Sequence, residues 1–312
     1  STDRSGWMRG SFCIRRVCWL VGRGCTTPMV RLHTLALNRS SPMPTNSLPA
    51  PSSPPRVVFA GDRDVAVDVL KSIADDVKIV GLLLSAPDQA THDDALLEGC
   101  RCHPDRVVLR GEEARSPKGI QQLRDTNPDF LLCVHFPYFL PEPLLRIPRV
   151  APLNLHPAYL PYNRGWHTPS WALLDDTPYG ATLHVMTETL DAGPVVHRER
   201  LAIRPHDTAH SLYQRVKRLE VRIFRKTWPK LCEGTATLTE PEATGTEHTK
   251  RDLHHPSVQR INLDEHVRAG DLLTQLRALT TNRPGEAAYV EHEGMRYHIQ
   301  VKITPKPVSS DG

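Results

Sequence analysis

Apolar positions in this chain fall into short unbroken runs, separated by stretches with helical spacing. The run RVVFAG (56–61) predicts a buried strand ending in glycine. DVAVDVLKSIA (64–74) follows, with Val65, Val69, Leu70 and Ile73 on one helical face. VKIVGLLLSA (77–86) predicts a second buried strand. A polar loop, a short strand at 106–110 and a helix around 117–125 come next. DFLLCVHF (129–136) and APLNLH (151–156) predict two more strands. Strands alternating with helices imply an α/β fold with a doubly wound, mostly parallel, Rossmann-like sheet. Such sheets bind ligands where strand C-terminal ends open into a crevice. His135–Tyr138 and Asn154–His156 then share one rim.

Farther along, a helix is expected from Pro169 with Thr168 as its cap. GATLHVM (180–186) and VVHRERLAI (195–203) read as extended. Residues 207–231 form a long amphipathic helix with Leu212, Val216, Leu219 and Ile223 as its stripe. A low-complexity bridge (233–248) precedes a helix at 269–279 and a hairpin at 287–303 turning at Glu-Gly. The expected division is a leader at 1–54, the main α/β domain at 55–232, a linker at 233–250 and a small C-terminal α+β domain at 251–312.

Charge refines the picture at one end only. The 312 residues carry a formal net charge of +4, with 39 basic and 35 acidic residues. Seven arginines and one acid lie in residues 1–54, which leaves 32 basic and 34 acidic residues elsewhere. Two readings of that arginine- and serine-rich segment stand: an organellar targeting peptide in 1–42, or an upstream or disordered leader with the fold's own start near Met43. The second makes the protein cytoplasmic. Seven scattered cysteines fit a reducing compartment rather than a disulfide scaffold. No apolar run is long enough for a membrane-spanning helix.

The chemistry gathers in NLHPAYLPYNRGWHTPSW (154–171). Asn154 and His156 are two apart on a strand, so both side chains leave on one face. Pro157 holds His156 extended. An amide and an imidazole at a strand end can stabilise an oxyanion and move a proton. Asp191, in the turn TETLDAGPVV, can orient that histidine. Each feature alone is more often structural. CRCH (100–103) lacks a second ligand pair, so no metal is expected there. No GxGxxG follows the first strand, which disfavours a dinucleotide cofactor.

The stretch from Asn154 to Val196 resembles the signature of the folate-dependent formyltransferases: an Asn-x-His pair, a His-Pro and Leu-Pro loop with Arg-Gly, a GATLH strand and an Asp-x-Gly turn. The resemblance covers about 56–231. It implies transfer of a formyl group from N10-formyltetrahydrofolate, as donor co-substrate, to a primary amine. It further implies Asn154, His156 and Asp191 as the catalytic trio, with His156 protonated beside the oxyanion. The pterin would lie between His135, Phe136, Pro137 and Tyr138 on one side and Thr189 and Leu190 on the other. Tyr162, Asn163, Arg164 and Trp166 would cover the amine. Arg164 has two readings, a phosphate contact or a pin for the loop. The two aspartates of GDRD (61–64) argue against a phosphate cradle at the first turn.

Residues 236–312 hold nine basic and eleven acidic residues, no footprint for RNA. The run LLTQLRALTTNRPGEAAYV loosely resembles the C-terminal domain of sugar N-formyltransferases, which are commonly dimeric. A nucleotide-linked amino sugar is the expected acceptor. The alternatives are methionyl-tRNA, or water as in a formyltetrahydrofolate hydrolase. From a different class, a folate-binding protein without turnover is opposed by the intact trio.

Overall fold

Seven strands form the central sheet of the computed structural model, which describes residues 46–241 and 245–308. In chain order the strands are β1 (Arg56–Gly61), β2 (Lys78–Leu84), β3 (Val107–Arg110), β4 (Phe130–Val134), β5 (Ala151–His156), β6 (Arg164–Gly165), β7 (Gly180–Val185), β8 (Val195–Arg200), β9 (Glu247–His248), β10 (Ala288–His292) and β11 (Met295–Ile299). The helices are α1 (Arg63–Lys71), α2 (Asp93–Gly99), α3 (Pro117–Asp125), α4 (Glu142–Leu145), α5 (Thr168–Leu174), α6 (Ala209–Cys232), α7 (Pro256–Gln259) and α8 (Ala269–Ala278).

The sheet order is β3-β2-β1-β4-β5-β7-β8. β3, β2, β1, β4 and β5 run parallel, and β7 and β8 close the edge antiparallel. The order reverses between β1 and β4, so a crevice opens beyond Gly61 and Val134, with His156 of β5 alongside. The parallel strands are apolar because helices cover both faces: β4 is buried throughout. The stripe of α6 packs as its spacing predicts, with Leu212, Val216 and Ile223 fully buried. Glu220 lies on the same face and is equally buried.

Three details depart from the sequence expectations. The polar loop after β2 contains α2, held by fully buried Leu96. His167, not Thr168, occupies the cap of α5, and the Thr168 hydroxyl donates to the Pro157 carbonyl. Residues 46–54, counted with the leader in the sequence, make contacts with the main domain. Leu48 is buried, its N–H donates to the Ala236 carbonyl, and the Ser52 hydroxyl bonds buried Asp129. Residues 1–45, with the targeting and Met43 readings, lie outside the described residues.

The segment after α6 is laid against the main sheet. Leu238 N–H donates to the Asn46 carbonyl, Thr239 bridges Val195, and β9 pairs with β6. Beyond it, α8 contacts α5, and β10 and β11 form the hairpin. Glu293 and Gly294 make its turn, with φ 49° and 76°. That conformation suits a two-residue hairpin loop. Among the described residues no helix is long and apolar enough to cross a membrane.

Candidate active site

The end of β5 and the turn after β7 bring three polar side chains together. Asn154 Nδ2 donates to Asp191 Oδ1 at 3.2 Å. His156 Nε2 lies 3.5 Å from Asp191 Oδ2. The Gly165 N–H donates to the same carboxylate oxygen at 3.0 Å. Two glycines permit this closeness. A Cβ on Gly165, whose φ is 90°, would stand 2.3 Å from the His248 carbonyl oxygen, and one on Gly193 would stand 1.9 Å from that of Val185.

His184 is a fourth member that the sequence reading passed over. Strand pairing places it opposite Asn154. Its Nδ1 faces the Val185 carbonyl at 3.0 Å, so that nitrogen carries the proton. Its Nε2 is then an acceptor, and it meets Asn154 Nδ2 at 3.2 Å. The signal was available in GATLH: a histidine inside a buried strand needs a polar partner.

Electrostatics separate the trio. Burial disfavours the charged form of Asp191, but the neighbouring His156 and His184 and the Gly165 amide outweigh it. The carboxyl is therefore held well below the usual range, and it is ionised at neutral pH. Burial pushes the His156 pKa down, against the pull of Asp191 and the Asn163 backbone and with added repulsion from His184. The ring is neutral in the resting protein at neutral pH. Its buried Nε2 has no hydrogen-bond partner.

These groups line a cavity of about 480 Å³. Of the expected folate contacts, His135, Phe136, Pro137, Tyr138 and Leu190 line it, and so does Trp166 from the acceptor loop. Thr189 does not; its carbonyl accepts from the Thr187 hydroxyl at 3.0 Å. Tyr162, Asn163 and Arg164 do not line it either. Asn163 is fully buried and ties its loop to Thr177 and Thr246. Arg164 pairs with Glu247 at 3.0 Å, across the β6–β9 contact.

His135 is engaged from behind. Its Nε2 meets both oxygens of Glu220, at 2.9 and 3.0 Å, and its Nδ1 meets the Tyr213 hydroxyl at 3.1 Å. Periodicity placed position 220 on the buried face of α6 and gave no hint of its partner. The first turn also differs from expectation. Asp62 is buried and accepts from Arg63 N, Thr91 N, and the Thr91 and Ser85 hydroxyls. Asp64 pairs with Lys217 at 2.7 Å. Arg63 is the turn residue that reaches the cavity. Cys133 also borders the cavity, and burial pushes its thiol up to about 12, which disfavours the thiolate at neutral pH. Among the described residues, four of the eight non-glycine residues with left-handed φ line this cavity: Arg63, His135, His167 and Asp191. Strained backbone gathered at one cleft accords with a functional site.

Residues 61–227 match the formyl transferase family, and residues 256–305 match the N-formyltransferase dimerization C-terminal domain. The chain belongs to the formyl transferase family and is a folate-dependent formyltransferase. It is similar to dTDP-4-amino-4,6-dideoxyglucose formyltransferase of Mycobacterium bovis, with 29% identity over 57% of this chain and 74% of the relative. It is also similar to methionyl-tRNA formyltransferase of Lachnospira eligens, with 28% identity over 78% of this chain and 77% of the relative. Among solved structures, a 4-N formyltransferase from Francisella tularensis has the same fold. It superposes with TM-score 0.70 at 21% identity, over 82% of this chain and 100% of that one.

Proposed function

We propose that the chain transfers the formyl group of N10-formyltetrahydrofolate to the primary amine of a nucleotide-linked amino sugar, with Asn154, His156 and Asp191 as catalytic residues. One observation carries the reading: an amide, a neutral imidazole and an ionised carboxylate converge in a single cavity. The amine attacks the formyl carbon, whose oxygen becomes an alkoxide while the nitrogen gains positive charge. One Asn154 N–H holds Asp191. The other, held by His184 Nε2 in this structure, turns from that nitrogen to donate to the alkoxide. Neutral His156 takes the proton from the attacking nitrogen, and Asp191 stabilises the imidazolium so formed. The C–N10 bond breaks as that proton passes to N10. A formamide and tetrahydrofolate leave, with no net gain or loss of protons.

The His135–Tyr138 loop and Leu190 form the folate side in this reading, and Trp166 the acceptor side. The mycobacterial relative's acceptor and the slightly acidic segment 236–312 support a sugar nucleotide. Methionyl-tRNA is the second reading, favoured by the long match to the Lachnospira protein. We assign 55–232 as the catalytic domain, 233–250 as a connector and 251–312 as the C-terminal domain. The match of 256–305 to a dimerization domain, and the exposed Leu273, Met295 and Tyr297, support a homodimer. The free thiols of Cys100, Cys102, Cys133 and Cys232 fit a cytoplasmic enzyme.

The test follows tetrahydrofolate release from the donor with no acceptor, with a panel of nucleotide-linked amino sugars, and with charged initiator tRNA. Release only with a sugar is expected. Release only with tRNA selects the second reading, and release without acceptor makes the enzyme a hydrolase. Full activity in Asn154→Ala and His156→Ala would remove the assigned residues.

A further inference from the structure

Three metal-ligating side chains meet at the wall of the cavity, and the formyl-transfer chemistry uses none of them. His167 stands at the head of α5 with φ 55°. His254 ends the single-turn helix Asp252–His254, and Glu286 ends the single-turn helix Pro284–Glu286. One ligand atom from each lies within 4.8 Å of the others. His167 and Glu286 line the cavity, their side chains only 10% and 8% exposed.

These groups do not satisfy one another by hydrogen bonding. His167 Nδ1 is 3.8 Å from the nearer Glu286 oxygen. The His167 and His254 rings meet edge-on, with centroids 5.7 Å apart. His167 Nε2 is buried without any partner. Leaving a buried polar nitrogen unpaired is unfavourable, and here it adds to a left-handed backbone on a non-glycine residue. Three separate segments converge here, and Glu286 has an ionic partner in Arg283 at 3.4 Å.

We infer that His167, His254 and Glu286 bind a divalent transition-metal ion of the zinc type. Two imidazoles and one carboxylate are a donor set that such borderline ions favour, and three protein ligands leave a fourth position for water or an acceptor oxygen. Tetrahedral bonds of about 2.0–2.2 Å would bring the donor atoms roughly 3.3–3.6 Å apart. The 3.8 Å between Glu286 and His167 is measured at Nδ1, which is near that value and makes Nδ1 the ligating nitrogen. Exposed His254 is free to swing the remaining distance. Arg283 stands 3.4 Å from the same Glu286 oxygen. It supports the carboxylate from outside, as partners of ligating carboxylates do, while its charge weakens cation binding. The bound ion would clamp the head of α5, next to Trp166, against two turns of the C-terminal segment. It would set the shape of the acceptor wall and stand apart from Asn154, His156 and Asp191.

The full chain, stripped by chelator and equilibrated with zinc chloride, is passed through gel filtration, and retained metal is counted by plasma mass spectrometry. Affinity is read by competition with a chromogenic chelator, beside His254→Ala and Glu286→Gln. One zinc per chain is expected in the parent, with affinity at least tenfold lower in each variant. A parent that retains no zinc overturns the inference, and so does a variant that holds it with parental affinity. His254 is exposed, so its replacement leaves the fold intact. The count needs no turnover, so the outcome does not depend on which acceptor the enzyme uses.

Discussion

His135 and His156 occupy the carboxyl ends of neighbouring strands, yet their surroundings differ in kind. His135 has both ring nitrogens occupied, by Glu220 and Tyr213. His156 Nε2 has no hydrogen bond and faces a carboxylate at 3.5 Å. Both rings are nearly dry, so burial alone does not mark a reactive group. What separates them is whether the buried polar atom has been given its partner. The satisfied histidine ties helix α6 to the sheet, and the unsatisfied one remains available for protons.

The largest expected effect tests the satisfied side. Glu220→Ala leaves His135 without its partner and should cost about 3–5 kcal/mol in urea unfolding. A loss below about 1 kcal/mol would mean the pair contributes little. On the open side, Asn154→Ala should lower kcat roughly a hundredfold, the usual effect of losing one oxyanion donor, with unfolding little changed. A rate within threefold of the parent would sink its role.

Acid should separate the two regions by sign. The folded His156 pKa lies below its ordinary 6.5, so the unfolded chain takes a proton that the folded one refuses. That contribution to stability is present above pH 6.5 and lost as pH falls through the folded value. The acid limb of kcat/KM should likewise have its midpoint below 6.5. Burial raises Glu220 above 4.5, outweighing the pull of His135. Its contribution is therefore present below pH 4.5 and lost as pH rises through its folded value. Melting temperature against pH, in the parent and in His156→Asn, checks the slopes. An unchanged profile in the variant would refute the His156 assignment.

The acceptor loop gives the smaller effects. Trp166 is 39% exposed at the cavity with Lys250 over its ring. Trp166→Ala should raise the acceptor KM about tenfold, near the upper range of an aromatic stacking contact, with kcat within threefold. Arg164→Ala should change that KM less than threefold and cost under about 1 kcal/mol, as half-exposed ion pairs do. A tenfold KM change would return Arg164 to the substrate.

Much of this was legible because periodicity and local pattern suffice for strands and helices. β5 and α3 fall where their residues predict, and Asn154 and His156 share a face for the reason that alternation gives. What escaped depends on pairing across the fold. His184 joins the site only through the register of β5 with β7. Glu220 reads as a polar break in an apolar stripe until His135 is seen against it. The aspartates of GDRD read as repulsion toward a phosphate, because the sequence does not show Thr91, Ser85 and Lys217 folding over them. Asn163 and Arg164 meet Thr246 and Glu247, about 80 residues away in a stretch that reads as low complexity, so no local pattern points to those contacts.

The hydrogen bonds from residues 46–48 to residues 236–238 set the natural cutting points of this molecule. The stretch that enters the first strand and the stretch that leaves α6 are stitched side by side. A graft that exchanged the C-terminal segment between relatives at residue 233 would sever that seam and strip Leu48 of its cover. A junction just beyond Thr239 would carry that seam intact but part β9 from β6, so residues 246–248 have to travel with the loop they hold.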